Sequence, residues 1–342
     1  MQLYLDSYGA FLGVDNGMFW LKPKNSTGQH IAIRKLKCIF ATKGITVSSD
    51  AILLALENAI PFIFIDQLGR SKGYIWSGQF GSVSTIRKKQ ALFSDRQEGM
   101  QWVRETLTYR VEQQMETLKL IKNTTAELGL QSKEFSQVFN ENLPLLDRQY
   151  KRWQNWVIKK NDSIDDIAAA YRGMEGTGSR HYFQSLSKSL PDHWQFEKRE
   201  KRPAYDAFNA LLNYLYGMLY PIVELGLIKS GLDPYMGVHH TDRYNRPTMV
   251  YDCIERYRHW AERVAVIEIV YKATIDPDRD FEIPSEMEGI RLASSGKQKV
   301  IGAMLEYLEA KEIYNGQLRK RSTHIDLDAQ TLAGRIRNFD SI

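Results

Sequence analysis

The chain has 342 residues, 43% hydrophobic and 25% charged, with a net charge of +5. That is the make-up of a soluble globular protein long enough for two cored domains, and the modest positive charge permits a nucleic-acid partner without demanding one. Cys38 and Cys253 are far apart and unaccompanied, which excludes a disulfide framework and a paired-cysteine metal knuckle. No apolar run approaches the roughly 20 residues that span a membrane, and the N-terminus lacks the basic start and apolar run of a signal peptide. A reducing cytoplasm, with no membrane, is the expected setting.

Residues 1 to 85 read as β-rich. LYLDSYGAFLGVDNGMFWLKP has short apolar runs around an Asp-Asn-Gly turn signal. HIAIRKLKCIFATKGITVS alternates at Ile31, Ile33 and Leu36 before a Lys43-Gly44 turn. SDAILLALEN predicts one short helix capped by Ser49 or Asp50, with Leu53, Leu54 and Leu56 as its apolar stripe. IPFIFID and GRSKGYIWSG add two strands. Gly78, Gly81, Ser82 and Ser84 form a small-residue connector, and it divides this β-rich domain (1–85) from a second domain (86–342).

The second domain reads as all-α. Helical periodicity runs over 86–123, then about 144–160, 163–188, 204–228, 247–274, 285–313 and 325–339. The helix over 204–228 is apolar nearly all round, which places it in the middle of a bundle. The fold class is therefore α+β: a small sheet domain with one helix, followed by a larger helical domain.

Two stretches concentrate chemistry. In IDDIAAAYRGMEGTGSRHYFQSL, Gly173, Gly176 and Gly178 interrupt a helical pattern around Glu175, with Arg180 and His181 beyond. Each mid-helix glycine costs about 0.5–1 kcal/mol relative to alanine, so close approach of another backbone or of a ligand must offset the loss. In YMGVHHTDRYNRPTMVYDCIERY, Arg246-Pro247 marks a helix start. Asp252 and Glu255 then fall three apart on one face, behind His239 and His240 in a turn-rich loop. An imidazole with convergent carboxylates suits an oxygen-preferring divalent cation such as Mn²⁺ or Mg²⁺. The same spacing also suits a solvated helix face with a charged pair.

MEGTGSRHYF, NALLNYLYGML, GLDPYMGVHHTDRYNRP and YDCIERYR resemble, in order and spacing, the signature segments of the CRISPR-associated integrase/endonuclease family that inserts new spacers into CRISPR arrays. ITVSSDAILLALENAIPFIFIDQLGR is similar to the family's strand–helix–strand, so the resemblance covers nearly the whole chain. It implies that Glu175, His240 and Glu255 hold Mn²⁺ or Mg²⁺, with Asp252 as a further ligand or as an orienting group. Gly178 and Ser179 stand where the family commonly has alanines, and His239 is an extra imidazole beside the ligand. The implied reaction is transesterification, in which the 3′-hydroxyl of a DNA fragment attacks a phosphodiester at a CRISPR repeat. Implied partners are DNA, a second copy of the chain paired through the sheet domains, and a small ferredoxin-like adaptation protein.

Phosphate contacts fall mostly to Lys and Arg. Arg180 and Arg243 lie near the expected site, and Lys198, Arg199, Lys201 and Arg202 form a basic cluster between helices. Tyr182 and Tyr244 line the same pocket or pack in the core. Arg87-Lys88-Lys89 and RKR at 319–321 are further basic stretches. Two other readings use the same fold: a metal-dependent nuclease on branched or single-stranded DNA in repair, and a non-catalytic nucleic-acid scaffold. A dimetal carboxylate bundle would want two Glu-x-x-His segments, and the sequence has none.

Overall fold

A computed structural model of the chain describes residues 2–24, 26–66, 71–77, 84–159, 164–240, 246–284 and 288–339. In the helix that begins at Ile164, side chains are described from Gly176 onward, together with Gly173. Glu175 thus has a described backbone position but no described side chain, and Arg243 and Tyr244 lie outside the described residues. The chain forms two compact units. One comprises Met1–Val83 with Tyr220–Ile222, the other Ser84–Leu219 with Val223–Ile342.

The first unit holds β1 (Gln2–Leu5), β2 (Phe11–Asp15), β3 (Met18–Lys22), β4 (Gln29–Ile31), β5 (Cys38–Ala41), β6 (Thr46–Val47), α1 (Ser49–Glu57), β7 (Phe62–Ile65) and β8 (Ser71–Ile75). They build two four-stranded sheets, in the orders β1-β5-β7-β8 and β4-β3-β2-β6. The β2–β3 turn places Asn16 at φ 50° and Gly17 at φ 71°, the paired positive values that a tight Asn-Gly hairpin needs. Leu3, Leu12, Phe19, Ile39 and Phe62 meet in one buried cluster with Ala51 and Ala55 of α1. The helix differs in detail from its expected form. Ser48, not Ser49 or Asp50, caps it by accepting from the Ala51 amide at 3.2 Å. Its buried face is the alanine pair, whose small side chains let it lie close, while Leu53 points out at 55% exposure.

The second unit is helical: α2 (Ser84–Phe93), α3 (Gln97–Glu127), α4 (Lys133–Gln154), α5 (Ile164–Lys188), α6 (Ala207–Lys229), α7 (Thr248–Ile254) and α8 (Arg258–Arg263). A π-helical run over Val264–Tyr271 follows α8. Then come β9 (Phe281–Glu282), β10 (Arg291–Leu292), α9 (Ser294–Glu309), β11 (Lys311–Tyr314), β12 (Gln317–Lys320) and α10 (Arg321–Asn338). α3, α4 and α5 pack on one another.

The expected first long helix breaks between α2 and α3, where Arg96 is extended at φ −112°, ψ 160°. The expected 247–274 helix breaks at Glu255–Tyr257, and the expected 285–313 helix shortens to α9 between two hairpins, β9–β10 and β11–β12. α6 bears out the reading of 204–228 as a helix in the middle of the bundle and qualifies the expectation that no apolar run approaches membrane-spanning length. By length and composition it is apolar enough to cross a membrane, yet 83% of its most apolar window is buried in the fold. It is a core helix.

Candidate metal centre and nucleic-acid face

The loop from Asp233 to His240 has no regular structure of its own, so side chains from two helices fix it. Gln90 of α2, 2% exposed, donates to the carbonyls of Asp233 at 2.8 Å and Met236 at 3.0 Å. It also accepts from the Asp233 amide at 2.8 Å. Thr248 opens α7 by donating to the Tyr235 carbonyl at 2.7 Å and accepting from the Gly237 amide at 3.0 Å. A side chain at Gly237 would come within 2.7 Å of the Thr248 Cβ, so glycine is what allows this approach.

Asp252, one turn further along α7 and 3% exposed, completes the grip. Its Oδ2 accepts from the amides of Val238 at 2.6 Å and His239 at 3.0 Å. Its Oδ1 accepts from the His240 amide at 3.1 Å and meets His240 Nδ1 at 2.6 Å. A carboxylate offers about four lone-pair sites, and these four donors use them. Asp252 thereby fixes the Nδ1–H tautomer of His240 and leaves Nε2 as the nitrogen that can take a cation. The imidazole is 39% exposed, in contrast to its 1% exposed partner.

Glu255 follows α7 directly and is 4% exposed. Its Oε1 accepts from Arg258 Nε at 2.7 Å, and its Oε2 forms an ion pair with Arg110 Nη1 of α3 at 2.7 Å that lacks hydrogen-bond geometry. Arg110 also donates through Nη2 to Ser179 Oγ of α5 at 3.3 Å. Position 175 lies four residues before Ser179, on the same face of α5. The arginine therefore ties Glu255 to the helix face that carries Glu175. Among the described residues no three His, Cys, Asp or Glu side chains gather into a metal-holding group, and the Glu175 side chain is outside that description. An imidazole Nε2, a buried carboxylate and a further glutamate are a donor set that fits Mn²⁺ or Mg²⁺. Cys253 is no part of it, since burial, with the charge of Asp252 adding, pushes its thiol pKa well up and keeps it protonated.

Behind the centre, Glu262 of α8 is 2% exposed and accepts from Tyr182 of α5 and Tyr216 of α6, both at 2.6 Å. Burial first, then the charge of Glu262, raises both phenols well above their ordinary range. Tyr182 is thus core, holding α5 to α8. Arg258 lies over the Tyr216 ring at 4.8 Å, which links this core network to Glu255.

The basic residues separate by exposure. Arg180, Lys198, Lys201 and Arg202 are exposed. Arg199 is half-buried and donates to Asn209 Oδ1 at 2.7 Å, Asn213 Oδ1 at 2.6 Å and the Glu200 carbonyl. Burial lowers its pKa. Asn209 and Asn213 of α6 in turn hold the 198–201 loop through its carbonyls and the Glu200 amide. Lys89 donates to the carbonyls of Arg337 and Phe339, both at 2.9 Å, and so caps α10. Arg321 pairs with Glu312 at 2.6 Å. Gln90, Arg110, Thr248, Arg258, Asn209 and Asn213 were not singled out from sequence. The two asparagines alone carry a local signal, polar residues four apart in an apolar helix.

With this geometry in place, the family described as CRISPR associated protein Cas1 matches residues 3–306. A relative from Archaeoglobus fulgidus described as CRISPR-associated endonuclease Cas1 1 is 26% identical over 344 residues, covering 98% of this chain and 96% of the relative. Two solved structures share the fold. A casposase bound to integration product has a TM-score of 0.79 at 18% identity, covering 98% of this chain and 90% of that one. A chain of a Cas6-RT-Cas1–Cas2 complex has a TM-score of 0.74 at 22% identity, covering 100% of this chain and 35% of that one.

Proposed function

Because the chain belongs to the Cas1 family of CRISPR-associated proteins, we propose that it is a metal-dependent DNA integrase and endonuclease of CRISPR adaptation. On this reading it joins the 3′-hydroxyl ends of new spacer DNA to a CRISPR repeat by transesterification. The observation that supports it most directly is the Asp252 clamp, which presents His240 with a fixed tautomer one helical turn from the buried Glu255.

His240, Glu255 and Glu175 would hold the Mn²⁺ or Mg²⁺. The bound cation supplies positive charge to a phosphodiester whose negative charge grows in the transition state. The protein's own residues do the rest. Asp252 keeps the proton on Nδ1 and the ring in register, as an orienting group and not as a ligand. Gln90 and Thr248 keep the histidine loop from relaxing away from α7. Arg180, Arg243 and the exposed Lys198, Lys201 and Arg202 offer charge to the DNA backbone, while Arg199 shapes the loop that carries the last three. The Cas6-RT-Cas1–Cas2 assembly of the fold relative supports a small adaptation protein as partner, with a homodimer of this chain and a cytoplasmic setting as parts of the same proposal.

The test is strand transfer on a branched DNA that mimics a half-integrated spacer, with Mn²⁺ or Mg²⁺. Wild type is expected to rejoin strands, and Glu175→Ala to leave the substrate unchanged. Cleavage without rejoining would move the reading to a repair nuclease. Binding without reaction, even after addition of the small adaptation protein, would move it to a scaffold.

A further inference from the structure

Glu255 faces more positive charge than a lone ligand needs. Its two oxygens each meet a guanidinium at 2.7 Å. The three side chains are nearly dry, Arg110 at 11% exposure, Arg258 at 15% and Glu255 at 5%. Charges so placed are poorly screened by salt, and each depends on its partner for what water would otherwise supply. The two acidic residues assigned to the cation, Glu175 and Glu255, bring two negative charges. Arg110 and Arg258 already face one of them, Glu255, before any cation arrives. A divalent ion that takes Glu255 must therefore displace guanidinium contacts, and it leaves two buried positive charges beside a third, doubly charged one.

DNA relieves that conflict. A phosphodiester brings a negative charge in a geometry that a guanidinium fork matches through paired hydrogen bonds. Arg110 is placed to make the exchange, since it reaches from Glu255 to Ser179 and thus spans the edge of the centre toward α5. Building on the metal-centre reading above, we propose that Arg110 and Arg258 are positioning residues that hold Glu255 until DNA arrives. They pass from carboxylate to phosphate as the cation takes the carboxylate. Cation and DNA binding are then mutually dependent, and linkage makes the effect reciprocal: DNA tightens the cation by the same factor as the cation tightens DNA. A chain built this way keeps its nuclease chemistry assembled only on DNA. If the arginines served only as struts, their loss would loosen the site and weaken cation binding. The proposal requires the opposite sign.

The experiment is Mn²⁺ titration of the full chain, read by the electron paramagnetic resonance signal of free Mn²⁺, with and without a forked DNA. A DNA-only blank is subtracted, and the site is defined as the binding lost in Glu175→Gln. Wild type is expected to bind Mn²⁺ about tenfold more tightly with DNA than without, a typical coupling between two sites. Arg110→Gln is expected to bind Mn²⁺ about tenfold more tightly than wild type without DNA, and to lose most of the gain on adding it. Arg258→Gln shifts the same way, and it decides the matter if Arg110→Gln fails to give the wild-type circular dichroism spectrum. Unchanged or weaker Mn²⁺ binding in both folded variants would overturn the proposal while leaving the metal centre standing. If wild type with DNA shows no Mn²⁺ binding that Glu175→Gln removes, the metal centre itself fails and the proposal falls with it.

Discussion

The four hydrogen bonds of Asp252 run to one short segment, the amides of residues 238–240 and the imidazole of His240. Asp252→Asn keeps the volume but replaces an acceptor oxygen with a donor nitrogen facing buried N–H groups. The expected result is a loss of about 3 kcal/mol in urea unfolding, since charge-assisted bonds and unsatisfied buried donors each weigh about 1–3 kcal/mol. Mn²⁺ affinity is expected to fall about 10–100-fold, as for other outer partners of metal-binding histidines. Gln90→Ala removes three bonds to the same loop and is expected to cost about 2 kcal/mol, with a fall in strand-transfer rate at saturating metal. The segment that holds His240, Asp252 and Glu255 stood out because they sit within sixteen residues of one another beside a proline-marked helix start, while the choice of His240 over His239 came from the family resemblance. Gln90 was not, because a glutamine inside a helical run carries no sign of a partner 143 residues away.

At the scale of elements, the three glycines of α5 do not play the same part. A Cβ at Gly178 would fall within 1.6 Å of the Gln149 side chain of α4, whereas one at Gly173 or Gly176 meets nothing within 4 Å. Gly178 is thus a helix-packing residue. The other two weaken the helix with no packing return, and they flank position 175. Gly173→Ala is expected to raise stability by about 0.5–1 kcal/mol, and Gly178→Ala to lower it, both read as midpoints of urea unfolding. If the open side of α5 is where DNA lies, Gly176→Ala will also weaken DNA binding, measured by fluorescence anisotropy, without loss of stability.

The strand–helix–strand around α1 and the helices α3, α5 and α6 were readable from periodicity, whereas α4 runs over Lys133–Gln154 where a helix was expected over about 144–160. The β11–β12 hairpin was readable in principle, because Asn315 and Gly316 form an Asn-Gly turn at φ 49° and 75°. Its first strand was absorbed into the helix expected over 285–313, because Ile313 supplies an apolar residue at either period though it is 74% exposed, and its second fell in the unassigned stretch before the helix expected over 325–339. The break after α7 had no glycine or proline to announce it, whereas the break after α2 had Gly99, where a Cβ would fall within 2.2 Å of the Phe93 carbonyl oxygen.

For the whole molecule, His259 and Asp280 affect acid stability in different windows, and His181 and His324, whose pKa values burial also lowers, add to the first. Burial first, then the charges of Arg263, Arg256 and Arg321, hold the His259 pKa well below its ordinary value. Below about pH 6.5 the unfolded chain takes up a proton that the folded one refuses. Stability therefore falls as pH drops from 7 toward 5, by up to about 1.4 kcal/mol per pH unit for one such group. His259→Gln is expected to flatten this limb in a series of urea melts. Asp280 behaves differently. Burial raises its pKa, but Lys299, the Asp276 amide and Ser295 together bring it below the usual carboxylate value. Its contribution persists through the histidine window and is lost only in stronger acid.

The Gln90–Thr248–Asp252 grip has a consequence for engineering. Because the histidine loop takes its shape from side chains outside itself, residues 233–255 are not a self-sufficient cassette. A chimera that imports this segment from a relative will present the imidazole correctly only if the recipient's second helix offers a glutamine at the matching position. Donor choice for such grafts should accordingly be made on the pair of segments, 84–93 together with 233–255, and not on the histidine-bearing one alone.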